Sequence, residues 1–278
     1  GKLMDLSGLE CAKNLRDVVK AANTIDGKLV AVPQEVVAYG LFINQDMFDR
    51  YNLKQPETPE EFLECCRVFK ENGIETPVGA NRWWLETFVL SQAYADLYNG
   101  GNAETEIAAL NSGKSKYSDY MRPGFKFLKK MIDMGYIDAE KASVSEAIEG
   151  EGQDFRDQRT PMVMAYWGAA NSDTAYGDLD FNMQVIGFPS SRGPMPVISI
   201  TGYGISTKAE HVEDAMRVLD VIASDKALQV YSETNKVISP SKNVEVDCIP
   251  ALKPLNDRIK ENVYVLGANA SMNVEQWG

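Results

Sequence analysis

Residues 28–51 read KLVAVPQEVVAYGLFINQDMFDRY, and this stretch constrains the fold more than any other. An apolar run of strand length, residues 28–32, is stopped by Pro33. A second run, residues 40–44, then leads without a loop into Met47, Phe48 and Tyr51 at helical spacing. Strand-length apolar runs recur in MVMAY at 162–166, in FNMQVIGFP and in VISITGYGIS. Amphipathic segments separate them. Alternation of this kind requires a sheet covered by helices, so the chain is read as α/β.

The best-defined helix lies in ETPEEFLECCRVFKENGI. Thr58 is placed as N-cap, Pro59 at the first helical position and Glu61 as the partner of a capping box. Phe62, Cys65, Cys66 and Phe69 form the inward face, and Gly73 ends the helix. WWLETFVLSQAYADLYNGG reads as a second, largely apolar helix. RPGFKFLKKMIDMGYID reads as a third, directed inward through Phe125, Leu128 and Ile132. Two more are expected at 209–223 and 225–234, the latter capped by Ser224.

Bulk properties exclude several functions. With 28 basic against 40 acidic side chains the net charge is −12, which disfavours nucleic acid and anionic membrane surfaces as partners. No apolar run approaches the ~18 residues of a membrane-spanning helix. Of the four cysteines, adjacent Cys65 and Cys66 have poor geometry for a mutual disulfide and no metal-site spacing, and a Cys11–Cys248 bridge is conceivable. The cysteines read as small buried hydrophobes. His211 is the sole histidine and stands alone on a surface helix, so neither a histidine-based triad nor a zinc site is expected. Gly113-Lys114-Ser115 lacks the upstream glycine of a phosphate loop and reads as a solvated loop. No cofactor is expected.

Taken in order, DGKLVAVP…YGLFINQDMFDRYNL, ETPEEFLECCRVFKENGI, FRDQRTPMVMAYWGAAN, VIGFPSSRG and TGYGISTKAEHVEDAMRVLDVIASDKALQVYSETNKVISPS carry a resemblance. Their collinear spacing resembles the extracellular solute-binding proteins of carbohydrate ABC importers, the branch that includes maltose-binding protein. The resemblance implies a type II periplasmic-binding-protein-like α/β fold with one nearly complete lobe and part of a second. Residues 1–33 are expected to be a remnant of the N-terminal lobe and 34–199 the C-terminal lobe. Residues 200–240 are expected to return to the N-terminal lobe, and 241–278 to cross back toward the C-terminal lobe. Roughly a hundred residues of alternating strands and helices, two or three βαβ steps, are expected to precede the segment matched here. AVPQEVVAYGLF then corresponds to the first interlobe crossing and VISITGYGIS to the return, and hinges of this type let lobes close on a ligand.

The resemblance further implies a non-catalytic, monomeric receptor. It takes a mono- or oligosaccharide and delivers it to ABC transporter permease subunits, either lipid-anchored outside a Gram-positive cell or in a periplasm. Sugar sites combine flat apolar faces with a few convergent hydrogen bonders. Trp167, at the carboxyl end of a buried strand, is the leading candidate for stacking; its alternative is a core tryptophan that fixes the following helix. Of the adjacent Trp83 and Trp84, one is expected to pack inward and the other to face the ligand. Tyr39 either lines the cleft floor or plugs the hinge, and Gln34 flanks the same crossing. Asn171 meets a hydroxyl or closes a turn, and Thr201 sits at the return crossing. Competing readings are a glycoside hydrolase working with a carboxylate pair, for which Asp46, Glu86 and Asp173 are available, and a receptor for a peptide, polyamine or metal complex.

Overall fold

The computed structural model describes residues 2–144, 151–171, 175–267, 269 and 272. The chain divides into two compact units: Gly1–Val37 with Ile198–Cys248 and Ala268–Gly278, and Ala38–Val197 with Ile249–Gly267.

The first unit opens with two short helices, α1 (Glu10–Lys13) and α2 (Asp17–Asn23), and a hairpin of β1 (Thr24–Ile25) and β2 (Lys28–Leu29). Asp26 and Gly27 turn the hairpin with positive φ at both positions, the geometry that matches strand twist in a two-residue loop. The expected strand over 28–32 is therefore cut to two residues. Within residues 30–32 the chain makes a single bridge, from Val32 to Tyr203.

The second unit begins with β3 (Val37–Asn44), followed directly by α3 (Gln45–Arg50). Buried Asn44 caps α3 by accepting the Met47 N–H at 3.0 Å. Helix α4 (Pro59–Glu71) has the reciprocal Thr58–Glu61 capping box, and its buried residues are Phe62, Cys65, Cys66 and Phe69, as the periodicity requires. Then come β4 (Val78–Gly79), α5 (Arg82–Asn99), α6 (Ala103–Asn111), α7 (Tyr117–Asp133), α8 (Ala139–Val144), α9 (Glu151–Arg156) and β5 (Met162–Tyr166). A 3₁₀ turn, Trp167–Asn171, leads on to β6 (Met183–Ile186) and β7 (Val197–Ser199), where the chain leaves the unit.

The first unit resumes with α10 (Val212–Ile222) and α11 (Asp225–Asn235), the second capped by the Ser224 hydroxyl. The second unit is completed by a 3₁₀ turn at Pro250–Leu252, α12 (Lys253–Lys260) and β8 (Val265–Leu266). Among the described residues no helix is long and apolar enough to cross a membrane.

Six strands form one sheet in the order β4-β5-β3-β7-β8, with β6 also on β3. Leu41, Phe42 and Ile43 pair with both β5 and β6, so the middle of β3 is hydrogen-bonded along both edges. Gly40 to Asn44 are all buried. Continuous burial of this kind, without alternation, marks a strand covered on both faces. A Cβ at Gly40 would lie 2.3 Å from the Ile186 carbonyl oxygen, so only glycine allows β6 to approach here.

Two expectations for α7 need correction. The helix starts at Tyr117 and runs through Pro123, whose ring is exposed, rather than starting near the proline. Phe125 is 57% exposed. The inward face is instead set by Gly124, which lies against Val89 of α5, and by Met131; Phe127 meets Phe88 at 5.6 Å between ring centroids. Glycine at the helix contact rotates the buried stripe away from Phe125. VISITGYGIS is likewise not one strand. Past β7 it makes only isolated bridges at Tyr203 and Ser206, because Gly202 and Gly204 press on the backbone of Val32 and Val30.

In the first unit, three separate stretches meet at one carboxylate. Asp225 accepts from Asn14 Nδ2 at 3.1 Å, Ser241 Oγ at 2.6 Å and Asn243 Nδ2 at 2.8 Å. Arg16 adds bonds from its Nε to the Ser239 carbonyl and from its guanidinium to that of Val244. None of the four cysteines is in a disulfide, so Cys11 and Cys248 form no bridge; Cys11, Cys65 and Cys66 are buried. Burial raises the Cys11 thiol to about 12, with Asp220 contributing, and raises Cys65 to about 12 with help from Glu61 and Glu64. Burial pushes Cys66 well above the ordinary thiol range.

Three outcomes are expected. Gly40→Ala, by forcing a Cβ onto the Ile186 carbonyl, lowers stability by about 1–3 kcal/mol, read as a lower urea midpoint; an unchanged midpoint contradicts the close approach. The Ser241 and Asn243 hydrogen bonds hold the Asp225 carboxyl below its usual range. Its folded value is depressed, so its contribution is present above about pH 4 and lost as pH falls through the folded value. Asp225→Ala should cost about 1–3 kcal/mol at neutral pH, and the difference from the parent should shrink in acid. Finally, at pH 8 a thiol reagent should label Cys248 rapidly and leave the other three cysteines protected until denaturant is added; fast labelling of all four would refute their burial.

Candidate functional site

In the second unit, helix α5 begins where Asn81, fully buried, turns its side chain onto the chain ahead. Its Oδ1 accepts the N–H groups of both Trp83 and Trp84 at 3.0 Å. This cap fixes the first turn and sends the two indoles in different directions. Trp83 is 53% exposed, with the Arg82 guanidinium carbon 4.7 Å from its ring centroid. Trp84 is half-buried and joins two tyrosines. Its ring centroid lies 5.6 Å from Tyr39 and 5.9 Å from Tyr166, both in tilted contact.

The sheet register explains why these rings meet. Tyr39 of β3 stands directly opposite Tyr166, the last residue of β5, in an antiparallel pair. Both tyrosines are half-buried. Gly168 leaves room for the group, since a Cβ there would sit 2.5 Å from Tyr166 Cε2. The result is a set of three partly open rings at one end of the β3–β5 pair.

Trp167 is 1% exposed, and its Nε1 meets no hydrogen-bond acceptor among the described residues. The side chain on the open side is its neighbour, Tyr166, which sequence reasoning passed over. Only the pairing of Tyr39 with Tyr166 would have revealed it, and no local pattern encodes that pairing. Asn171 ends the 3₁₀ turn and is half-buried.

The other two predicted residues belong to the first unit. Gln34 Oε1 accepts the Tyr203 hydroxyl at 3.2 Å, next to the Val32–Tyr203 bridge. Thr201 is exposed two residues before Tyr203. Beside Gln34, burial holds the Glu35 carboxyl above its usual range. Burial also raises the Tyr231 phenol, and the charges of Glu35 and Tyr203 add to the effect.

The carboxylates considered for hydrolysis have no common geometry. Asp46 accepts the Asn182 backbone N–H at 3.2 Å, Glu86 is exposed on α5, and Asp173 lies outside the described residues. His211 is exposed at the N-cap position of α10. Two cavities of about 300 and 370 Å³ open on the second unit, but neither is lined by any of the three rings. In the smaller one Asp154 already pairs with Lys141 and with Arg159.

Comparison with known proteins bears on the family and the fold. Residues 1–229 match the family model described as bacterial extracellular solute-binding protein. The polygalacturonan/rhamnogalacturonan-binding protein YtcQ of Bacillus subtilis is 28% identical over 152 residues, which span 50% of this chain and 30% of YtcQ. A family 1 extracellular solute-binding protein from Bifidobacterium longum subsp. infantis is similar in structure, with a TM-score of 0.76 at 22% identity; the match covers 95% of this chain and 70% of that one. Sugar transporter BL01359 of Bacillus licheniformis, solved in complex with stachyose, gives 0.71 at 19% identity, covering 95% of this chain and 70% of its own. The fold is shared with these receptors, and the chain belongs to the family of bacterial extracellular solute-binding proteins.

Proposed function

We propose that this chain is the substrate-binding part of an ABC importer that captures a carbohydrate and passes it to membrane permease subunits. The observation that carries the reading is the group of Tyr39, Trp84 and Tyr166, whose rings converge and stay partly open. Rings of this kind offer a flat apolar face to the C–H side of a pyranose and a polar edge to its hydroxyls. Trp83 presents a separate exposed indole, and Asn171 offers an amide for a hydroxyl. Trp167 supplies an enclosed indole N–H that meets no acceptor among the described residues. Taken by itself, the first unit carries Gln34 and Thr201, polar groups suited to sugar hydroxyls.

The two units serve in this reading as parts of the two lobes of such a receptor, working without catalysis and as a monomer. A lipid anchor or a periplasm would hold the receptor outside the cytoplasm. Relatives support a carbohydrate as the solute but differ in its charge. Polygalacturonan, named for YtcQ, is acidic, while the stachyose bound by BL01359 is neutral.

A saccharide panel read by thermal shift and calorimetry tests the proposal. A bound sugar at a hundred times its Kd adds about 2.7 kcal/mol of stability, enough to raise the melting temperature measurably. Trp84→Ala should weaken that binding more than tenfold, about 1.4 kcal/mol, in a variant whose circular dichroism matches the parent. The sugar should be recovered intact. Release of reducing ends would favour a hydrolase instead, and unchanged affinity in the variant would remove the rings from the site.

A further inference from the structure

We propose that the outer face of α7 docks on a membrane rich in anionic lipid, with its cations on the headgroup phosphates and Phe125 at the edge of the acyl layer. The receptor reading above enters at one point only, in setting the protein beside a membrane.

Charge is spread unevenly along the chain. Residues 114–133 hold six basic side chains, Lys114, Lys116, Arg122, Lys126, Lys129 and Lys130, against Asp119 and Asp133. Of the 28 basic and 40 acidic side chains in the whole chain, 22 and 38 lie elsewhere. All six cations are exposed. Lys129 pairs with Asp133 at 2.7 Å, and the other five form no ion pair among the described residues. Glu106 of α6 is engaged by the Tyr120 hydroxyl, one turn from Gly124 on the inward side of the helix.

Helical spacing sorts these residues into a face. With about 3.6 residues per turn, Arg122, Lys126 and Lys129 fall opposite the buried Gly124 and Met131, and Lys130 and Phe125 stand on the two borders. Phe125 is more than half exposed, and on its flank Met121, Leu128 and Ile132 are only half-buried. The stripe that periodicity directs inward is thus left partly open beside a row of cations. Basic side chains next to an open apolar border are what a helix lying along a membrane interface presents. An acidic protein surface would engage the cations alone, so the open Phe125 border favours lipid.

The net charge of −12 opposes an anionic surface at long range. At physiological salt the field of an exposed charge fades over about 8 Å, so a face brought into contact is governed by its own cations. The acidic remainder then sets orientation, because other faces are repelled where α7 is held.

Cosedimentation of the complete chain with vesicles tests the proposal, using an equal mixture of phosphatidylglycerol and phosphatidylcholine against phosphatidylcholine alone. At low salt at least tenfold more protein should pellet with the mixed vesicles, and about 0.5 M salt should release it. Lys126→Gln combined with Lys130→Gln should cut that binding severalfold. The same loss of charge at Lys208 and Lys226, exposed on the first unit, should leave it near the parent value. Phe125→Ser should weaken it as well, with circular dichroism unchanged. Equal pelleting with both vesicles, pelleting with neither, or full binding by the α7 lysine variant overturns the proposal and leaves the sugar reading untouched. Binding to soluble polyglutamate as tight as to the mixed vesicles, and indifferent to Phe125→Ser, assigns the face to an acidic protein and overturns the membrane assignment. Lipid binding that follows the α7 variants while no sugar of the panel binds upholds this proposal and defeats the receptor reading alone.

Discussion

Strand β3 is the element on which the second unit depends. Its middle residues are hydrogen-bonded to β5 on one edge and β6 on the other, and Gly40 to Asn44 have no exposed face. A strand so enclosed cannot slip register, because a one-residue shift would exchange both faces and break two ladders at once. Much else inherits its geometry. Asn44 at its end starts α3, Phe42 carries the contact to Tyr176 at 5.3 Å, and Tyr39 near its beginning is set opposite Tyr166. The aromatic site is thus placed by the same hydrogen bonds that build the core.

Among the described residues the first unit has no comparable sheet. Its stretches, far apart in sequence, meet through single bridges such as Leu15 with Ser241 and Val36 with Ile238. Isolated bridges bury little apolar area, so polar ties supply the specificity. Asp225 gathers Asn14, Ser241 and Asn243, and Arg16 satisfies carbonyls on the same returning segment. Hydrogen bonds to a charged group are stronger than neutral ones, which suits a junction that must join separate lengths of chain.

Recognition and packing place different demands on the aromatic residues. Phe62, Phe69, Phe88 and Phe155 are fully enclosed and touch one another or other rings edge to face or tilted. Tyr39, Trp84 and Tyr166 make similar ring contacts yet stay half-open, each with a polar atom that keeps a hydrated edge acceptable. This combination of apolar face and wet edge is what a sugar ring requires. Of the cavities elsewhere on the unit, one holds charges already paired, and in the other the Tyr120 hydroxyl is already engaged by Glu106.

How much could be read in advance depended on how local the cause was. The capping box and inward face of α4, the limits of β5 and the Ser224 cap of α11 are written within a few residues, because caps and periodicity act over one or two turns. The α/β class and the family likeness follow from the order of such segments. Exposure was another matter. Phe125 turned outward because Gly124 met Val89, residues 30–32 left the hairpin to lie beside the 202–204 glycines, and α6, α8 and α12 gave no pattern that was recognised. Sequence placed Trp83, Trp84 and Trp167 near strand ends, but which indole stays open was decided by the Asn81 cap and the β3–β5 register. The residues themselves determined helices, strands and their order, since those rest on neighbours along the chain. Tertiary structure alone decided which rings converge, since that rests on contacts between residues far apart along the chain, Tyr39 opposite Tyr166 above all.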